Sequence, residues 1–333
     1  MNASSDPLPG AGASRLAQVA WRGQGLLRPE CVLANAAGDL YTADWRGGVA
    51  HIAADGSQRL YAGRLPDGGE LRPNGIALLA DGSFLLAQLG AEAGGVYRLT
   101  RDGEVDPWLT MLDGQALPPT NFVVQDARGN TWVTVSTRLS PRSRGYRRDC
   151  SDGFIVCVRP DGRAHIAADG LGYTNEVAVH PGGQWLYVNE TFARRLSRFA
   201  LQADGTLGPR ETVCSFGAGT FPDGLAFDEE GCAWVVSIVS NRLIRVAPDG
   251  AQTLWLEDAE AAHLAWVEAA FEADQMDRPH LDGIRSQMLR NISSIAFTGT
   301  DRRTAVFGCL LGDRLATLRM PVEGVAPLHW NHP

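Results

Sequence analysis

At 333 residues with 44% apolar side chains, the chain can bury a large core, and its formal net charge of −8 leaves no basic face for a nucleic acid. No apolar run reaches about 18 residues, and residues 1–20 lack a charged start followed by an apolar stretch, so a membrane span and a classical export signal are not expected and a cytoplasmic location is. The six cysteines (Cys31, Cys150, Cys157, Cys214, Cys232, Cys309) form no Cys-x-x-Cys pair, which argues against a zinc knuckle or a dense disulfide framework and for free thiols.

Residues 1–13, rich in Ser, Pro, Gly and Ala, are expected to form a loose tail ahead of a single domain over 14–333. From there a short polar turn runs six times into an apolar strand, opened by Glu30, Asn74, Asn121, Asn175, Asp223 and Asn291. The clearest copies read Arg-Pro-Asn-Gly-Ile-Ala at 72–77, Tyr-Thr-Asn-Glu-Val-Ala at 173–178 and Phe-Pro-Asp-Gly-Leu-Ala at 221–226. A second strand-like run follows each opener, at 39–44, 83–87, 131–135, 185–188, 233–236 and 304–307. Asp-Gly and Gly-Gly pairs such as Asp81-Gly82 and Gly182-Gly183 punctuate the runs, as tight hairpins require.

The openers recur at intervals of 44 to 54 residues, with a final interval of 68. A propeller blade takes about 40–50 residues. One blade cannot bury both faces, so the copies must stack around an axis, and the fold expected is an all-β, six-bladed β-propeller. Ring closure is expected from terminal strands near 16–21 and 327–330. Two insertions stretch the period. An arginine-rich loop at 138–149 carries Arg138, Arg142, Arg144, Arg147 and Arg148. A helical segment at about 259–290 places Leu264, Val267, Ala270 and Phe271 on one face, and Pro279 and Gly283 are expected to end or bend it.

Openers of inner strands converge at one rim of a propeller's tunnel. Carboxylate and carboxamide oxygens gathered there are hard donors, suited to Ca²⁺, Mg²⁺ or Mn²⁺. The histidines show no ligand spacing, and no Gly-x-Ser-x-Gly elbow surrounds a serine, so neither a histidine metal site nor a serine hydrolase is indicated. Asn and Asp at strand entrances are also ordinary turn formers, a reading open above all for Asn74 and Asn291.

These residues resemble the senescence marker protein (SMP-30), regucalcin and gluconolactonase family of six-bladed propellers, over nearly all of the chain after about residue 25. The resemblance implies a divalent metal, calcium being the favoured ion with magnesium, manganese, zinc or iron(II) as alternatives. It would be held by Glu30 in Arg-Pro-Glu-Cys, Asn121 in Pro-Thr-Asn-Phe, Asn175 in Tyr-Thr-Asn-Glu and Asp223 in Pro-Asp-Gly-Leu-Ala. It also implies hydrolysis of a lactone or related small ester, with Asp223 as the base that orients or deprotonates water. Sugar-lactone members place an arginine two residues before the third-blade asparagine and an aspartate after it; Pro119 and Phe122 stand there instead. Asn74, Phe122, Arg138 and Asn291 are the substrate-contact candidates. The expected partner is a small molecule, with no nucleic acid and no membrane. A non-catalytic propeller that binds a cation or a partner, and a phosphotriesterase using the same site, are the alternatives.

Overall fold

The computed structural model describes residues 15–90, 94–283 and 285–333; the tail expected at 1–13 lies outside them. Among the described residues, six four-stranded antiparallel sheets form the blades of a propeller. Their innermost strands are Val32–Ala34, Pro73–Leu78, Phe122–Gln125, Thr174–Val179, Thr220–Phe227 and Ile292–Thr298. Each begins at or beside one of the six polar openers, and each touches the inner strands of both neighbours, so the ring is continuous. The expected second strands are all present: Leu40–Asp44, Phe84–Gln88, Thr131–Val135, Trp185–Glu190, Ala233–Val239 and Thr304–Cys309.

The ring closes within the sixth blade, whose outer strand, Ala20–Arg22, comes from the amino-terminal end and pairs with Leu315–Arg319, Ala20 opposite Thr317. The strand expected at 327–330 is instead a 3-10 turn, Leu328–Asn331. Pro327 opens this turn, and it docks on the first blade through a bond from Ala36 N to Trp330 O (2.7 Å). A single strand from the amino-terminal side completes the four-stranded sheet, and the carboxy-terminal segment covers a neighbouring surface.

Two fully buried tryptophans fix the ends of inner strands. Trp132 Nε1 donates to Asp126 Oδ2, and Trp234 Nε1 donates to Asp228 Oδ2, each at 2.9 Å. Each such side chain contributes about 1.5–3 kcal/mol by leaving water, and the indole N–H avoids the cost of burial without a partner.

The second insertion splits in two. One helix, α1, spans Ala261–Glu272 and buries His263, Val267 and Phe271. Asp274, at φ 54°, turns the chain, and a second helix, α2, spans Arg278–Asp282 behind an Asp277 capping box. Pro279 therefore starts a helix and does not end one, because a ring that lacks an N–H costs nothing in a first turn. At the insertion's stem, the Asp258 carboxylate accepts from Gln287 N, Met288 N and Leu289 N at 2.7–2.8 Å.

The arginine-rich loop and this insertion pack on each other. Tyr146 shares an apolar cluster with Tyr173, Phe192, Phe221, Val267, Phe271, Met276 and Leu281. Arg148 pairs with Glu272, and Arg278 Nη1 donates to Tyr146 Oη (3.4 Å). The two insertions thus form one packed unit, anchored on the aromatic rims of the fourth and fifth blades.

Candidate metal centre

Four of the inner strands carry a β-bulge, three of them where the opener sits and the one in the sixth blade just after it. The register shifts between Pro73 and Ile76, between Thr174 and Val177, between Pro222 and Leu225, and between Ile292 and Ser294. A bulge takes residues out of the ladder and re-aims their side chains. Two bulges use glycine at their second place because the next strand lies against it. A Cβ on Gly75 would come within 2.6 Å of Phe122 Cα, and one on Gly224 within 2.5 Å of Ser294 Cα. The fourth blade has Glu176 in the same place.

All six openers are buried. Asn74 Nδ2 donates to the Oδ1 of Asn121 and, at 3.0 Å, to its carbonyl. Asn121 Nδ2 donates to Asn175 Oδ1 (2.9 Å), Asn175 Nδ2 donates to Thr191 Oγ1 (3.1 Å), and the Asn175 amide lies near enough to the Asp223 carboxylate to favour its charged form. The second, third and fourth blades are thereby linked in ring order, side chain to side chain, and Thr191 carries the link on to the backbone of the fifth. Glu30 lies close enough to Asp223 for its charge to act on it. Asn189 Nδ2 donates to Asp223 O (2.9 Å), and Thr191 Oγ1 donates to Pro222 O (2.8 Å), so two buried side chains of the fourth blade hold the Asp223 backbone.

The electrostatics are those of crowded anions. Burial pushes the Asp223 carboxyl well above the usual carboxylate range, and the charges of Glu30 and Glu176 push it further; Arg28 and the Asn175 amide oppose them. Glu176 is raised to about 8, chiefly by burial, against bonds from Leu225 N and Ser294 and with Glu30 adding to the rise. Arg28 pairs with Glu30 at 2.9 Å and lies 4.6 Å from the centre of the Trp45 ring. Two oxygens of the cluster are buried and poorly satisfied: Asn74 Oδ1 has no hydrogen-bond partner, and Glu30 Oε2 has the Arg28 guanidinium alone.

The remaining sequence candidates sit elsewhere. Asn291, at φ 57°, turns its amide to Leu281 O (2.6 Å) and so ties the sixth blade to α2. Phe122 belongs to the apolar core with Leu71, Ile76 and Trp132. Arg138 is held by Asp169 through two bonds of 2.8 and 2.9 Å. These three lie outside the linked ring, because the packed insertions, a core and a surface carboxylate already use them. Sequence reading missed Arg28 and Glu176. A charged residue in the place where neighbouring repeats carry Gly75 and Gly224 was the available signal for Glu176.

Among the described residues no group of three or more His, Cys, Asp or Glu side chains is placed to hold a metal ion, so any cation here relies on carboxamides as much as on carboxylates. No helix among them is long and apolar enough to cross a membrane.

The family model described as "SMP-30/Gluconolactonase/LRE-like region" matches residues 28–261. The chain belongs to this family. Among its SMP-30/gluconolactonase relatives is a 6-deoxy-6-sulfogluconolactonase of Pseudomonas putida, 31% identical over 185 residues, a match that takes in 53% of this chain and 54% of that protein. The chain thus spans about half the length of the curated relative it matches. A gluconolactonase of Xanthomonas campestris superposes with a TM-score of 0.66 at 20% identity, covering 96% of each chain. Regucalcin of Agrobacterium tumefaciens, a calcium-binding protein, does so with a TM-score of 0.65 at 18% identity, covering 92% of this chain and 96% of that one. At such identities these two likenesses show the propeller fold.

Proposed function

We propose that this chain hydrolyses a small lactone with the help of one hard divalent cation, calcium foremost. One observation carries the reading. The amide nitrogens of Asn74, Asn121 and Asn175 are spent on protein acceptors, so what the buried ring still offers is oxygen: Asn74 Oδ1 has no partner, and Glu30 Oε2 has only the Arg28 guanidinium. Buried anions that repel one another, beside carboxamide oxygens turned toward the same place, fit a hard cation. Glu30, Asn121, Asn175 and Asp223 would hold it, with Asn74 in contact with substrate.

When bound, such an ion polarises an ester carbonyl and steadies negative charge on its oxygen. The protein's own part begins with Asp223. Asn189 and Thr191 fix its backbone, and its carboxylate orients the attacking water and accepts a proton from it. Water oxygen bonds to the carbonyl carbon, the ring C–O bond breaks, the leaving oxygen is protonated, and the product hydroxy acid releases a proton at neutral pH. The packed insertions over the fourth and fifth blades would form a lid that excludes bulk water. The sulfogluconolactonase relative supports a lactone as the ester.

Proton release on a panel of lactones, before and after chelation, tests this. Turnover should vanish with the ion and return when calcium is restored. Undiminished hydrolysis after complete metal removal rejects the mechanism, and calcium binding by calorimetry without turnover of any lactone would leave a cation-binding propeller.

A further inference from the structure

Five arginines crowd the loop at 138–149, and four of them are accounted for at the surface. Arg138 pairs with Asp169, Arg147 with Asp149 and Arg148 with Glu272, while Arg144 is exposed and donates only to Ser140 O. Arg142 differs. It is half-buried, and its Nη2 donates to Ser136 Oγ (2.9 Å). Its Cζ lies 5.5 Å from the centre of the Tyr173 ring, and its Nε is buried with no hydrogen-bond partner. Among the described residues no carboxylate forms an ion pair with it.

Both of its neighbours belong to the rim of the candidate centre. Ser136 follows the strand Thr131–Val135, whose Thr134 O accepts from Asn121 N (2.8 Å). Tyr173 stands two residues before Asn175. Arg142 therefore bridges the third and fourth blades beside the strand entrances that carry Asn121 and Asn175. A guanidinium withdrawn from water and held by one hydroxyl and one aromatic face lacks an anion, and planar acidic groups are what its fork matches.

We propose that Arg142 makes this site selective for lactones that carry a second, terminal acidic group, a carboxylate or a sulfonate, which the buried Nε receives beneath the lid. The proposal rests on the lactonase reading and narrows its substrate class. It also gives the loop a function beyond packing, since Arg138 and Arg148 already tie it to Asp169 and Glu272.

The test compares kcat/KM of the calcium-loaded protein for glucono-1,5-lactone, for a glucaric acid lactone and for the lactone of 6-deoxy-6-sulfogluconate. The ratio of acidic to neutral substrate should favour the acidic ones. Arg142→Gln should lower that ratio on the order of 10- to 100-fold, mainly through KM, whereas Arg144→Gln should leave it in place. Which acidic lactone loses more tells carboxylate from sulfonate. Should the glutamine variant not fold, Ser136→Ala, which removes the hydroxyl pinning the guanidinium, should lower the same ratio.

A ratio unmoved by Arg142→Gln, with all lactones still hydrolysed, overturns the proposal and leaves the lactonase reading standing. Direct calorimetry with the ring-opened 6-deoxy-6-sulfogluconate separates the converse case. Binding that depends on Arg142 in a protein that turns over no lactone keeps the anion site and removes the lactonase reading.

Discussion

Two inner strands each carry a site residue at one end and a clasp at the other, five residues on: Asn121 and Asp126 in the third blade, Asp223 and Asp228 in the fifth. All four are buried, yet their surroundings differ. Asp228 accepts from Glu230 N, Cys232 N, Trp234 Nε1 and Arg245 Nε, and Asp126 accepts from Arg128 N, Asn130 N, Asn130 Nδ2 and Trp132 Nε1. Asp223 instead faces Glu30 and Glu176, with Asn175 as the side chain that steadies it. A buried carboxylate with a full set of donors is structural; one crowded by its own kind is kept for something that is added later.

Exchanging the two roles gives the sharpest contrast. Asp223→Ala should cut lactone turnover by roughly 10²- to 10⁴-fold while the metal-free protein melts no earlier than the wild type, since a repelling charge has gone. Asp228→Ala should do the opposite, losing about 3–5 kcal/mol in denaturant unfolding because Arg245 and the Trp234 N–H lose their acceptor, with turnover per folded molecule kept. Equal stability losses in the two variants would erase the distinction.

Glu176 sharpens the contrast by pH. Its ordinary value is 4.5 and the folded protein raises it to about 8, so the folded state holds a proton the unfolded chain has lost. Its contribution is full below pH 4.5 and disappears as pH rises through 8. In the presence of chelator, Glu176→Gln should remove that decline and leave the protein more stable than the wild type by a few kcal/mol at pH 9, measured by urea titration. A variant with an unchanged slope would mean that other groups bear the repulsion.

His329 carries the smallest effect. Burial lowers it from 6.5 to about 4, with the neighbouring His332 adding to the shift, and its Nε2 has no hydrogen-bond partner. With the folded value depressed, its contribution is present above pH 6.5 and is lost as pH falls toward 4. His329→Gln should flatten that acid limb by no more than about 3 kcal/mol in thermal melts between pH 7 and 4. An unchanged limb would show that burial without a partner matters only within the cluster of acids.

Much of the ring was legible because a propeller repeats itself. The runs at 131–135 and 233–236 are short and rich in β-branched and aromatic side chains, as buried strands are, and Asn175 and Asp223 stand at the same step of each copy. The clasps have a visible mark as well, an aspartate six residues before Trp132 and Trp234. Asn35 and His180, five residues after Glu30 and Asn175, show why that signal is weak: the clasp place accepts other polar side chains. What stayed hidden depends on distances between blades. That Arg28 meets Glu30, that Glu176 reaches Leu225 N, and that Arg138 finds a carboxylate while Arg142 does not, follows from bulges and from how the insertions settle, which no local pattern encodes. The closing strand was misplaced at the carboxy-terminal end because Pro327 and Trp330 fit an edge strand as well as a turn.

The stem at Asp258 has one more implication. By gathering three amides from the far side of the helical excursion, a single carboxylate brings departing and returning chain together before the sixth blade begins. The excursion is thus a cassette mounted on a closed base. Its length and sequence can be rewritten over generations while the wheel beneath keeps its shape, which lets one scaffold acquire new preferences without relearning how to fold.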